Sequence, residues 1–334
     1  MMRAELIASF LGENGLAKAS RTPLAGDASA RRYERITQPP TRFILMDDAT
    51  GNQAAILAFV SIAAHLRGLG LSAPEIFASD IPNGLILMED LGDAVFAREV
   101  GRDPSVEIRL YSAAIDVFTP LHGAPAPTGI PTFDPCTMAS ATDVAFQWYR
   151  QDTGQSLGDG ALSAMECLKT ALEAVARPPV LSLRDYHAEN LIWLPDRTGP
   201  ARVGLLDFQD AVLTHPIYDL ISLTRDARRD VSDQISQVLL SRYASHTQQD
   251  LADVTHAAAV VATQRNLRIL GVFARLSKQM GKPGYITFIP RVWRMLQEDL
   301  THPDLAPLKR TLNELLPPPD DHLLTCLRTP CPTP

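Results

Sequence analysis

The chain has few cysteines and none in a metal-binding arrangement. Cys136, Cys167, Cys326 and Cys331 form no C-x-x-C pair, and no His/Cys cluster has zinc spacing in the sequence. They read as reduced thiols of a cytoplasmic protein. There is no Lys/Arg block. With a net charge of −7 the chain is a poor candidate for a nucleic-acid binder. No apolar run reaches the ~18 residues of a membrane span. Residues 1–16 lack the cationic start and long apolar stretch of a signal peptide. No Walker A motif occurs, so a P-loop nucleotide site is excluded.

What is present suits two lobes. The 334 residues exceed one minimal core, and 46% hydrophobic with 21% charged is an ordinary globular balance. Residues 3–17 carry a helical apolar pattern, and Leu24–Arg31 reads as a small-residue turn. Strands are expected over 32–36, 42–46, 73–77 and 84–88, with a helix over 53–69. From 93 onward the pattern is mainly helical, roughly over 104–122, 140–152, 159–176, 216–226, 231–245, 250–280 and 288–300. Two short apolar runs interrupt it, Val180–Leu183 and Val203–Leu206, and read as strands that deliver the residues after them to one place. The expected organisation is a sheet-rich lobe over 1–90, a helical lobe over 91–316, and a proline-rich tail over 317–334 that is disordered or loosely docked.

The chemistry sits after those short strands. Arg184-Asp185-Tyr186-His187-Ala188-Glu189-Asn190 places a carboxylate and an amide five positions apart. Phosphoryl transfer needs such a carboxylate to position the attacking hydroxyl, and oxygen ligands for the Mg²⁺ that neutralises the phosphates. Asp207, at the end of the second apolar run and 17 residues beyond Asn190, can reach the same metal. Asp185 is therefore the candidate catalytic residue and Asn190 and Asp207 the candidate metal ligands. Either motif alone is equally a loop or capping carboxylate; the pair in this order is the kinase arrangement.

These residues resemble the aminoglycoside phosphotransferase and choline kinase superfamily. The resemblance rests on Leu183-Arg-Asp185 to Asn190, Leu206-Asp207-Phe208-Gln-Asp210, Tyr218-Asp219-Leu220 and Leu121-His122, and covers about residues 24–300. It implies an α+β protein-kinase-like fold of two lobes, a small antiparallel-sheet N-lobe and a larger helical C-lobe with ATP between them. Gly26-Asp-Ala-Ser-Ala-Arg-Arg-Tyr33, Met88-Glu-Asp-Leu-Gly-Asp93 and Leu206-Asp-Phe-Gln-Asp-Ala211 are more closely similar to bacterial N-acetylmuramate/N-acetylglucosamine anomeric kinases. That implies phosphorylation of a sugar C1 hydroxyl in peptidoglycan recycling, with ATP and Mg²⁺ as cofactors and an amino sugar as the small-molecule partner. Oligomeric state is not readable.

The pattern departs from the family in two places. Leu183 stands where a histidine is usual. The strand 42–47 has no lysine for the nucleotide phosphates, and the helix 53–69 has no acidic partner for one. Arg31 and Arg32, directly after the turn, are the nearest cations, and the alternative is an exposed strand arginine. The turn residues Gly26, Asp27, Ala28 and Ser29 can bring backbone N–H groups to phosphate oxygens. Met88, Glu89, Asp90 and Leu91 are by resemblance the hinge that holds adenine; a plain linker is the alternative. Asp219 reads as a brace for the catalytic loop. His187 either contacts substrate or packs. Arg265 and Arg268, with Arg275 on a shared helix face, can read an anionic sugar substituent or form a solvated face. Trp148-Tyr149 can stack a sugar or belong to the core. The competing functions are an aminoglycoside or other small-molecule kinase, which the arginines disfavour, and an inactive ATP-binding scaffold.

Overall fold

A computed structural model describes residues 2–24, 31–150 and 158–329. In chain order its elements are α1 (Arg3–Glu13), β1 (Ser20–Leu24), β2 (Arg32–Gln38), β3 (Thr41–Asp47), α2 (Gln53–Gly68), β4 (Ile76–Asp80), β5 (Leu85–Glu89), α3 (Phe96–Arg102), α4 (Glu107–Asp116), α5 (Phe118–Gly123), α6 (Pro135–Ser140), α7 (Asp159–Ala174), β6 (Val180–Ser182), β7 (Leu191–Trp193), β8 (Val203–Leu205), β9 (Val212–Thr214), α8 (Tyr218–Thr224), α9 (Asp233–Thr247), α10 (Leu251–Met280), α11 (Ile289–Asp299), α12 (Ala306–Leu315) and α13 (Asp321–Arg328). They form two compact units, residues 1–130 with 183–211, and residues 131–182 with 212–334. The first unit thus holds both the sheet and the two chemical loops, a different division from a boundary at residue 90.

The first unit is built on an antiparallel sheet of five strands in the order β1-β2-β3-β5-β4. Leu85 to Met88 of β5 are all buried, as in a strand covered on both faces. One cover is α1. Its Ile7, Phe10 and Leu11 share a helix face and bury against Ile36, Leu45, Leu85 and Leu87. Each such side chain contributes roughly 1.5–3 kcal/mol. Arg3 anchors the start of α1 to the Asp47 carboxylate (2.8 Å) and the Asn83 carbonyl (2.6 Å). β1 was not expected. It is an edge strand with four exposed positions and a proline, so no apolar alternation marks it. β4 lies three residues later than expected, because Pro74 cannot donate to the ladder and a bulge falls between Ile76 and Ala78.

The second unit is organised by α10, 30 residues long. Asp250 caps it through the Ala252 N–H (2.7 Å), and Gly281 ends it in the left-handed region at φ 64°. Gly271 is required there, since a Cβ would lie 2.2 Å from the Val144 carbonyl carbon. The segment that passes it is helical over 143–149, with a π-helical turn at Ala145–Tyr149, inside the helix expected over 140–152; residues 151–152 lie outside the described residues. Tyr149 is fully buried, donates to the Pro317 carbonyl (2.7 Å) and stacks on Trp293, which makes it core. The tail is not loose throughout. Asp320 caps α13 through the Leu323 N–H (2.7 Å), and Leu323 and Leu327 are buried. Leu316-Pro-Pro-Pro319 ends α12 but does not prevent the chain from docking again.

The two short apolar runs are strands, but they do not pair with each other. β6 pairs β9 in the second unit, and β7 pairs β8 in the first. Asp219 of α8 accepts a 2.6 Å bond from Ser182 Oγ and so holds the residue from which the chain enters the catalytic loop.

His215 makes the second unit acid-sensitive. Burial, against a hydrogen bond with the Val175 carbonyl, pushes its imidazole down to about 4. Its Nδ1 accepts the Ile217 N–H (3.1 Å) and its Nε2 lies 3.0 Å from the Val175 carbonyl, an arrangement that needs the neutral ring. The unfolded chain takes up a proton below about 6.5 that the folded one refuses. Stability is therefore lost as pH falls from about 6.5 toward 4, at up to about 1.4 kcal/mol per unit. Urea melts at pH 7.5 and 5.0 should show this loss, and it should shrink in His215→Gln. An equal loss in that variant would contradict the assignment.

Candidate active site

The first unit brings Asn190 and Asp207 together through a hairpin. β7 and β8 pair with Leu191 opposite Leu205, so Asn190 enters the ladder where Leu206 leaves it, and Leu206 N–H donates to the Asn190 carbonyl (3.0 Å). Asp207 follows at once. Asn190 Nδ2 donates to the Asp185 carbonyl (2.9 Å) and lies 3.5 Å from Asp207 Oδ2. A carboxylate and an amide oxygen at this spot are hard donors suited to a divalent cation. Gln209 Nε2 donates to the other Asp207 oxygen (2.8 Å) and fixes the carboxylate.

The loop from Leu183 to Asn190 is a run of tight turns. Asp185 N–H reaches the Leu183 carbonyl (2.8 Å), His187 N–H the Asp185 carbonyl (3.1 Å), and Asn190 N–H the His187 carbonyl (2.8 Å). Tyr186 anchors it, buried, with its hydroxyl on the Ala114 carbonyl (2.7 Å). Arg184 and Asp207 both have left-handed backbone, at φ 68° and 57°. Such residues cost about 1–3 kcal/mol each and persist where surroundings over-determine them. Here the two flank the chemistry. Phe208 supplies part of that constraint, fully buried and stacked on Phe59 of α2 at 4.9 Å.

A buried ion pair lies beside the strand that lacks the lysine. Arg31, at the entry to β2, pairs with Asp48, just past β3, at 3.0 Å, with both side chains nearly buried. Burial opposes the Arg31 charge, but the Asp48 carboxylate and Tyr33 hold it firmly protonated. Burial likewise opposes the Asp48 charge, and Thr50 and Arg31 outweigh it and keep the carboxyl below its usual range. Gly84 locks Asp48 in place. It accepts the Asp48 N–H (2.9 Å), has φ 70°, and a Cβ on it would meet the Asp48 carbonyl oxygen at 2.1 Å. The Tyr33 phenol is pushed up by burial, with Arg31 opposing and the Asp207 charge adding, so this group lies within electrostatic reach of the metal loop. Arg32 is exposed.

Of the segment Met88–Leu91, Glu89 and Asp90 are held by arginines. Arg35 of β2 binds Asp90 (2.7 and 3.1 Å) and Asp93 (2.8 and 3.1 Å), and its guanidinium keeps Asp93 well ionised. Glu89 bonds to Arg197, and its N–H donates to the Glu75 carbonyl (2.8 Å). Met88 and Leu91 are buried.

The other expected site residues fall as follows. Gly26, Asp27, Ala28 and Ser29 lie outside the described residues. His187 is 6% exposed, with its Nε2 3.4 Å from Asn190 Nδ2. Arg265 is buried in the second unit, where it donates to Ser222 Oγ (3.0 Å) and the Arg225 carbonyl (3.1 Å). Arg268 is half-buried in the same unit. Tyr33 and Gln209 entered the sequence reading only as members of the motifs Gly26–Tyr33 and Leu206–Ala211, and Asp48 and Phe59 were not singled out; for Asp48 the Asp47-Asp48 pair at a strand exit offered a signal.

Comparison with known proteins bears on this geometry. Residues 20–255 match the model of the phosphotransferase enzyme family. The chain is 39% identical to an N-acetylmuramate/N-acetylglucosamine kinase of Caulobacter vibrioides, over 93% of this chain and 96% of that one. It is 29% identical to a Pseudomonas aeruginosa protein of the same name, over 89% of each. The fold is that of a choline kinase from Streptococcus pneumoniae (TM-score 0.62, 15% identity, 88% of this chain and 99% of that one). It is equally that of an ADP-bound aminoglycoside phosphotransferase (TM-score 0.62, 12% identity, 88% and 99%). With that match across most of its length, and the Asp185–Asn190 loop and Asp207 gathered in one unit of a protein-kinase-like fold, this chain belongs to the phosphotransferase enzyme family and is a small-molecule kinase.

Proposed function

We propose that the protein transfers the γ-phosphoryl group of ATP to the C1 hydroxyl of N-acetylmuramate or N-acetylglucosamine, in the cytoplasm and in the service of peptidoglycan recycling. The observation that carries the substrate is the 39% identity over 93% of the chain to a kinase of that name. The juxtaposition of Asp185, Asn190 and Asp207 supports the chemistry. Among the described residues no helix is long and apolar enough to cross a membrane.

Asp185 positions the sugar hydroxyl and accepts its proton as the new O–P bond forms. The Asn190 amide bond to the Asp185 carbonyl holds the loop at that setting. Asn190 and Asp207 fit Mg²⁺ because they present oxygen donors from two converging loops, and the ion neutralises phosphate charge when bound. Arg31 takes the role of the absent strand lysine, with Asp48 as its acidic partner, so both halves of the usual pair are replaced together. That coherence argues against an inactive scaffold. Backbone groups of Met88 to Leu91 hold the adenine.

The test is ADP release by the purified protein with Mg-ATP and N-acetylmuramate, N-acetylglucosamine, kanamycin or choline. Asp207→Ala serves as the control. Turnover confined to the acetylated sugars, and lost in the control, is expected. Turnover on kanamycin alone would overturn the substrate assignment.

A further inference from the structure

Away from the phosphotransfer residues, the second unit gathers two imidazoles and a carboxylate. His256 lies in the second turn of α10. His302 and Asp304 lie at the start of the 3₁₀ turn Pro303–Leu305 that leads into α12. His256 Nε2 is 3.3 Å from Asp304 Oδ2, and His302 Nδ1 is 3.9 Å from the same oxygen. One donor atom from each of the three residues lies within 4.8 Å of the other two. The imidazole rings are parallel, with centroids 4.5 Å apart.

We propose that His256, His302 and Asp304 bind a divalent transition ion of the Zn²⁺ class, and that the ion clips α10 to the segment that begins α12. The spacing suits it. Donors around a tetrahedral ion bonded at about 2.0–2.1 Å stand about 3.4 Å apart. The separations found need only small side-chain adjustments, and the rings turn out of their stack so that both lone pairs converge. Two imidazoles with one carboxylate favour borderline ions over Mg²⁺ or Ca²⁺, which take all-oxygen sets. Among the described residues Asp304 has no Lys or Arg in ion-pair distance, only these two histidines. Its charge is therefore available to a cation. The backbone around the site is well anchored, since Leu300, Leu305 and Leu308 are each 1% exposed. The fourth coordination position is left to water, as Asp304 opens to solvent.

The experiment is zinc titration of the tag-free, EDTA-stripped full-length protein by calorimetry in excess Mg²⁺, which occupies hard-oxygen sites. One Zn²⁺ per chain is expected at micromolar affinity or better, with a rise in melting midpoint of roughly 5 °C at zinc about a hundredfold above Kd. His256→Ala and Asp304→Asn should each weaken binding by at least about tenfold. Cobalt in place of zinc should give a visible tetrahedral absorption that both variants lose. His302 also caps its turn, so the His256 variant carries the test if His302→Ala fails to fold. Zinc binding retained in a His256→Ala/Asp304→Asn double variant, or no binding tighter than about 100 μM, the range of adventitious surface sites, would overturn the proposal.

Discussion

Asp185→Asn should lower kcat by about 10²–10⁴ while leaving the melting midpoint and the KM for ATP close to their starting values. The replacement keeps the size and the hydrogen-bonding reach of the side chain but removes the carboxylate proposed to take the substrate proton. The loop's own bonds run through the Asp185 backbone, to the Leu183 carbonyl, the His187 N–H and the Asn190 side chain, and the amide leaves these in place. The measurement is steady-state ADP release at saturating sugar alongside a thermal melt. Turnover within a factor of a few of wild type would remove Asp185 from the catalytic role.

The second large effect concerns Arg31. A hydrogen bond to a charged group contributes about 1.5–3 kcal/mol. Arg31→Ala should therefore raise the KM for ATP by about 10- to 100-fold. The same substitution leaves Asp48, whose side chain is 3% exposed, with Thr50 but without its arginine, and removing one partner of a buried pair costs up to about 3–5 kcal/mol. A loss of activity alone would be ambiguous, because the variant is also destabilised. Arg31→Ala/Asp48→Ala separates the two. Removing both charges should return much of the stability while the KM for ATP stays high. If the double variant recovers ATP affinity together with stability, Arg31 is a structural arginine and another cation meets the phosphates. Arg32→Ala, on an exposed side chain, should change neither quantity much.

How far the sequence could be read depended on where information is local. Asp185, Asn190 and Asp207 could be proposed from sequence because they stand at short fixed spacing after apolar runs. The hairpin that joins them could not be. β7 is three residues long, too short for an alternation to register, and its partner lies across a turn. The two visible apolar runs gave no sign of their partners, β9 for the first and β7 for the second. Asp48 escaped because its role comes from a close approach to Gly84 and from a partner 17 residues earlier. Arg265 shows the opposite limit. Helical periodicity places it on a face but does not say what that face meets; Ser222 and the Arg225 carbonyl do. α13 lay hidden behind a proline run whose composition reads as loose chain although two leucines beyond it are buried.

The β7–β8 hairpin separates two quantities that sequence comparison tends to merge, the number of residues between Asn190 and Asp207 and their distance in space. Register sets the distance; the turn over 194–202 sets only the count. Related kinases can therefore differ freely in the length of this stretch and still present the same pair of donors. A single residue added or deleted within Val203–Leu205 is a different event. It turns the strand's side chains to the opposite face and carries Asp207 off its partner. In an alignment of such enzymes, gaps belong in the turn and never in the strand Val203–Leu205.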